Sequence, residues 1–202
     1  MLLQQLSLGG PVMVPLLALS IAVVTIAVDR FRFWRQLGTA GSPRWQRIES
    51  ELSQGQTPPL QASDGPVGRL LVRLRQAAGE PDRQLELQLA LQKERTAMAR
   101  GERVLEAAAA LGPLLGLLGT VTGLMRTFSG LGQQRDTAAS ATLAAAGIAE
   151  VLVATAMGIL VAVLAIVVLR INAAYRQSQL ALMERVALAH ELNLHRQIPS
   201  HG

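Results

Sequence analysis

The sequence contains no cysteine. That excludes a disulfide framework, thiolate metal sites and a cysteine nucleophile, and leaves the redox compartment open. Charge is scarce as well. Only 16% of the 202 residues are charged, against about 25% in an average soluble domain. Histidine is confined to His190, His195 and His201, near the C-terminus. That is a thin basis for a metal site, so neither metal nor cofactor is expected. No phosphate-binding loop, metal-ligand spacing or Ser/His/Asp arrangement stands out, and an enzyme is not expected. Half of the residues are hydrophobic, enough for a real core, which excludes wholesale disorder. The net charge of +5 points to nucleic acid or an anionic membrane as partner. Where the charges stand decides between them.

Residues 1–28 carry no charged side chain, and neither do residues 107–125. Residues 137–169 carry one, Glu150. An apolar helix of about 20 residues crosses a bilayer, which predicts three transmembrane helices near 9–28, 107–128 and 144–169. Buried helices of a soluble bundle would normally keep a polar stripe; residues 12–28 and 151–168 show almost none. No Lys or Arg precedes the first apolar stretch, and no small-x-small site follows it before the charges begin. It is therefore expected to be a retained anchor rather than a cleaved signal peptide.

Residues 29–106 hold 13 basic and 10 acidic residues, and residues 170–202 hold four and two. If the spans alternate, 17 of the 19 basic residues share one side. The positive-inside rule makes that side the cytoplasm. The expected organisation is a periplasmic N-terminus with the first span (1–28), a cytoplasmic helical segment (29–106), the second span (107–128), a periplasmic loop (129–143), the third span (144–169) and a cytoplasmic helical tail (170–202). The location is a membrane whose base-rich side is the cytoplasm. The run DRFRFWR at residues 29–35 combines basic residues with interfacial aromatics where the first span ends, as this orientation requires. Acids accompany the bases elsewhere, and no further basic patch is interleaved with stacking aromatics. Nucleic acid is not an expected partner; the lipid bilayer is.

Residues 38–42 and 54–66 are rich in Gly, Pro, Ser and Gln and are predicted loops. Between them, Ser42 is a candidate N-cap with Pro43 at the first helical position, giving a short helix to Leu52. A second helix is expected over 66–78. Pro81 opens a longer one that nothing but Gly101 interrupts, so it is expected to continue into the second span. Ile171, Tyr175, Leu182, Val186 and Ala189 extend the third span as a helical stripe toward His195. Long helices that leave a membrane need neighbours. The predicted fold is an all-α membrane protein with three transmembrane helices, the second and third extended into a cytoplasmic helical bundle.

Glu150 is the candidate for chemistry. A carboxylate inside a span costs about 2.5–3.5 kcal/mol on insertion scales and marks ion pathways by default. Desolvation favours its protonated form, suiting it to take up and release a proton. The plainer alternative is a neutral Glu hydrogen-bonded to a neighbouring helix. Thr155 follows five positions later, about 140° round the helix, so the two share a path only if several helices line it. Thr120 and Thr122 lie mid-way along the second span. Their hydroxyls either hydrate an ion path or bond back to their own helix carbonyls. Gly112, Gly116, Gly119 and Gly123 fall on one face of the second span. Gly147, Ala154, Gly158, Ala162 and Ala165 do so on the third. Such stripes let helices pack closely, with each other or with copies of themselves. Arg126 is expected near the outer end of the second span, snorkelling to headgroups.

The segment LGPLLGLLGTVTGLMRTF (residues 111–128), followed by GIAEVLVATAMG (147–158), resembles the ExbB/TolQ/MotA proton-channel family. GGPVMVPLLALSIAVVTIAVDRFRFW (9–34) is similar to the first span of its ExbB/TolQ branch. Three spans favour that branch over MotA. The resemblance implies a pentamer of this chain around single-span ExbD- or TolR-like subunits, converting the proton gradient into force on a TonB- or TolA-like protein. It also implies that the family's membrane carboxylate falls on Glu150 and its pore threonines on Thr120 and Thr155, with the proton-carrying Asp on the partner. Leu164 stands where the family often has Pro. Arg170 replaces an Asn near the end of the third span, with Asn172 just beyond. The expected function is that of an ExbB-type proton-channel subunit serving outer-membrane uptake. The alternatives are a TolQ-like role in envelope maintenance and a non-conducting membrane scaffold.

Overall fold

The computed structural model describes residues 12–38, 40–56, 58–77, 79–131 and 137–197. Among them there are helices and no strands. In chain order they are α1 (Met13–Leu37), α2 (Pro43–Ser53), a 3-10 turn (Ala62–Asp64), α3 (Gly65–Gln76), α4 (Glu80–Met98), α5 (Glu102–Leu131) and α6 (Thr137–Gln197). Helices α1, α5 and α6 are long and apolar enough to cross a membrane. The chain divides into two compact units. One takes Met1–Asp29 and Gly101–Arg170, the other Arg30–Arg100 and Ile171–Gly202.

The first unit has a narrow core. Val23 of α1, Leu105 and Ala108 of α5, and Val161 and Ala165 of α6 are buried together, with Leu19, Ile26 and Val168 against them. Most large apolar side chains point outward instead. Leu114, Leu117, Val121 and Phe128 on α5 are exposed, as are Leu152, Ile159, Leu160 and Val163 on α6. A soluble monomer rarely exposes so much contiguous apolar surface; in a bilayer that surface is solvated by lipid. Composition, helix length and exposure agree on an all-α membrane protein.

The second unit is built like a soluble bundle. Its buried residues recur at helical spacing: Trp45, Ile48 and Leu52 on α2; Val67, Leu70, Leu71 and Leu74 on α3; Leu182, Met183, Val186 and Ala189 on α6. Leu87, Ala90 and Leu91 of α4 pack against them. Ion pairs tie the periphery. Arg69 holds the buried Glu94 through Nε and a terminal nitrogen at 2.9 and 2.8 Å. Arg83 grips Glu191 of α6 in the same two-pronged way, at 2.6 and 3.1 Å. The Glu191 carboxylate raises the Arg83 guanidinium pKa further above its ordinary value.

The short helices begin and end for local reasons. Ser42 is extended at the start of α2, with Pro43 following; its side chain makes no capping bond. Gly55, at φ +90°, lets α2 close with Gly55 N donating to Leu52 O and Gln56 N to Glu51 O, the left-handed termination that glycine favours. Before α3, Asp64 Oδ2 accepts the Gln61 backbone N–H at 2.8 Å.

One expectation fails. The helix opened by Pro81 does not run on into the second span: α4 ends at Met98 and α5 starts at Glu102. Gly101 stands between them at φ +86°, a left-handed conformation that other residues adopt only under strain. Its carbonyl accepts from Val104 N and Leu105 N, starting α5 afresh. A Cβ there would lie 2.9 Å from Ile26 of α1, so glycine also permits the close approach of α1.

Candidate functional site in the apolar helices

Small residues bring the backbones of α5 and α6 together. A Cβ on Gly112 would lie 2.7 Å from the Gly158 carbonyl oxygen, and one on Gly158 only 2.5 Å from that of Gly112. A Cβ on Gly116 would meet Cα of Thr155 at 3.1 Å, and one on Gly119 the Ala154 methyl at 2.9 Å. Further along, Gly123 faces Val151 and Gly147 faces Thr127, each with no room for a methyl. Residue numbers rise along one helix as they fall along the other, so the two run antiparallel. Gly112, Gly116, Gly119, Gly123, Gly147 and Gly158 all lie on this one line of contact.

The hydroxyls divide into two kinds. Thr120 Oγ1 donates to Leu117 O at 2.6 Å and Thr122 Oγ1 to Leu118 O at 2.9 Å. Both are satisfied within their own helix, the arrangement that needs no function. Thr155 lies within reach of two carbonyls, Val151 O of its own helix and Gly116 O of α5, each at 3.3 Å. Of these three hydroxyls it alone reaches the neighbouring helix. Thr127 was not singled out by sequence; it fills the space over Gly147 and donates to Gly123 O at 2.9 Å. The signal available was its seven-residue interval from Thr120, which returns to nearly the same helix face.

Helix α6 carries Glu150 between the Gly147 and Val151 levels of the contact; its side chain lies outside the described residues. Arg126 is exposed on α5, five positions before that helix ends. The loop expected over 129–143 lies partly outside the described residues. Helix α5 continues to Leu131 and α6 begins at Thr137.

A polar cluster lies in the second unit. Arg30 and Trp34, four residues apart on α1, are both buried, whereas Phe31 is 64% exposed. Trp34 Nε1 donates to Asn172 Oδ1 at 2.7 Å, and its ring stacks on Tyr175 with centroids 5.4 Å apart. Asn172 Nδ2 and an Arg30 terminal nitrogen both donate to Met98 O, each at 3.4 Å. These bonds take up the carbonyl at the end of α4, which a helix C-terminus leaves free. The aromatic-basic run at 29–35 thus splits by helical face: part of it turns inward to bind α4 and α6.

Comparison with known proteins shows the family. Residues 65–185 match the family described as the MotA/TolQ/ExbB proton channel family. A Synechocystis sp. protein, provisionally named biopolymer transport protein ExbB-like 1, is 38% identical over 187 residues, covering 89% of this chain and 73% of its own. The biopolymer transport protein ExbB of Salmonella typhimurium is 42% identical over 76 residues, 38% of this chain and 30% of its own. The Tol-Pal system protein TolQ of Pseudomonas aeruginosa is 38% identical over 103 residues, 47% of this chain and 43% of its own. With a family match over more than half of its length, and a relative aligned along nearly all of it, this chain belongs to the MotA/TolQ/ExbB proton channel family.

Proposed function

We propose that this proton-channel subunit is an ExbB-type component of an inner-membrane energy transducer. In this reading several copies, five by family resemblance, form a ring around single-span ExbD- or TolR-like subunits. Protons moving down their gradient drive force on a TonB-like protein for outer-membrane uptake. The N-terminus faces the periplasm, and residues 29–106 and 170–202 face the cytoplasm. Each charge that crosses 100 mV releases about 2.3 kcal/mol. Harnessing it requires an acid shielded from bulk water, a polar path and a rigid wall.

The observation that carries the reading is Glu150, the one acid in the 33 residues 137–169, on a helix held backbone-to-backbone against α5. Glu150 is assigned the proton, Thr155 and Thr120 the polar lining, and the glycine line the wall. A ring places heterologous contacts between copies. It thereby lets Glu150 and Thr155, about 140° apart on α6, border one path built from several helices.

The test is Glu150→Gln, assayed by proton flux in vesicles with and without the single-span partner. Flux is expected to vanish while the oligomer persists. Undiminished flux refutes the channel role, and loss of the oligomer makes Glu150 interhelical glue in a scaffold. The TolQ-like alternative rests on the 103-residue match to a TolQ protein. Rescue of cells lacking TolQ, but not of cells lacking ExbB, would select it.

A further inference from the structure

His190 has no part in the proton path, yet its environment is unusual. It lies on α6 in the second unit, 4% exposed, and among the described residues neither Nδ1 nor Nε2 has a hydrogen-bond partner. Buried polar groups are nearly always bonded, and each exception calls for a reason. Val186, Ala187 and Ala189, beside it on the same helix, belong to the core shared with Leu70, Leu71 and Leu74 of α3. The flanking stretch is anchored by polar bonds. Asn193 Nδ2 donates to Gln56 O at 3.4 Å, and an Arg196 terminal nitrogen to Ser53 O at 2.6 Å.

The charges around it are divided. Glu191 of α6 favours an imidazolium, and Arg75 of α3 and Arg83 of α4 act against one. Glu191 is already held by both prongs of Arg83. The α2 carboxylate that faces α6 is Glu49, paired with Arg185 at 3.2 Å. Burial, the largest influence, lowers the His190 pKa below the ordinary 6.5.

We propose that His190 is a proton-sensitive latch: neutral, it packs the C-terminal part of α6 into the helical bundle; protonated, it leaves the core and frees residues 182–197. The sign follows from linkage. A folded-state pKa below the unfolded one means that the unfolded state binds the proton more readily. The latch is therefore fully closed above pH 6.5. As the pH falls below that value it loosens, by at most about tenfold per unit, until the folded-state pKa is reached.

The experiment is hydrogen exchange of the full-length protein in detergent micelles, read over residues 182–197 between pH 8 and 5 and corrected for intrinsic exchange. Protection is expected to hold steady from pH 8 to 7, then to fall as the pH drops below 6.5, by at most about tenfold per pH unit. His190→Leu should abolish that fall. Protection that is flat in the wild type, or that falls equally in His190→Leu, overturns the proposal. Should the leucine variant fail to fold, ring NMR of the double variant His195→Gln/His201→Gln leaves His190 as the sole histidine. Titration below 6.5 in the folded protein supports the latch, and titration at or above 6.5 overturns it.

Discussion

Replacing Gly158 with alanine should force α5 and α6 apart. The new methyl would stand 2.5 Å from the Gly112 carbonyl oxygen, 2.9 Å from Cα of Gly116 and 3.1 Å from its nitrogen. A carbon normally sits about 3.3–3.6 Å from a carbonyl oxygen, so the shortfall is close to 0.8 Å or more. All three obstacles are backbone atoms, and no rotamer change removes them. The helices must move, and the Thr155 bond to Gly116 O, already 3.3 Å long, is lost with the movement. Overpacking of this kind costs about 1–3 kcal/mol, a factor of about 5–150 in the unfolding equilibrium.

The assay is SDS-driven unfolding of the full chain in mixed micelles, followed by circular dichroism. Gly116→Ala, whose nearest obstacle is 3.1 Å away, should be milder. Gly41→Ala, with nothing among the described residues within 4 Å, should fall within about 0.5 kcal/mol of the wild type. Gly119→Ala meets a methyl, that of Ala154, so adding Ala154→Gly should restore much of the loss, as coupled neighbours do. If Gly158→Ala is as stable as Gly41→Ala, or less damaging than Gly116→Ala, the close approach is refuted.

Trp34→Phe keeps a ring to stack on Tyr175 but removes the 2.7 Å donation to Asn172. The expected loss is about 1–3 kcal/mol by the same titration, and a change within error would exclude the bond. Asp64 offers a pH test. The Gln61 backbone N–H and the Arg44 guanidinium, 2.6 Å away, hold its carboxyl below the ordinary 3.8. A depressed folded pKa contributes stability above the ordinary value that disappears as pH falls through the folded one. Stability measured from pH 6 to 3 should therefore decline less steeply in Asp64→Asn; an identical decline in both proteins would rule the contribution out.

Much of the architecture could be read along the chain because lipid partitioning is close to a sum over neighbouring residues. Runs free of charge over 107–125 and nearly so over 137–169 identify membrane helices wherever the rest of the chain goes. The loops read over 38–42 and 54–66 were legible for a similar reason, since proline and glycine act on their own dihedral angles; the second one ends earlier than expected, with a 3-10 turn at Ala62–Asp64 and a helix from Gly65. Glu150 stood out because an acid in an apolar run is anomalous however its helix packs.

The rest depends on pairs. Gly101 could have been one more helical glycine; in the structure it is left-handed, and Ile26, 75 positions earlier, occupies the space where its side chain would be. Arg30 and Trp34 looked like interfacial residues until Asn172 and the Met98 carbonyl were beside them. Thr155 and Thr120 looked alike in sequence, and only the approach of Gly116 gave Thr155 a second carbonyl within reach. His190 lies on a helical stripe in sequence, but whether its nitrogens find partners is settled by α3 and α4, about 100 residues away. Membrane insertion and helix formation are governed by local composition, and so belong to the sequence alone. Close backbone approach and hydrogen-bond satisfaction depend on which distant groups meet, and only the tertiary structure decides that.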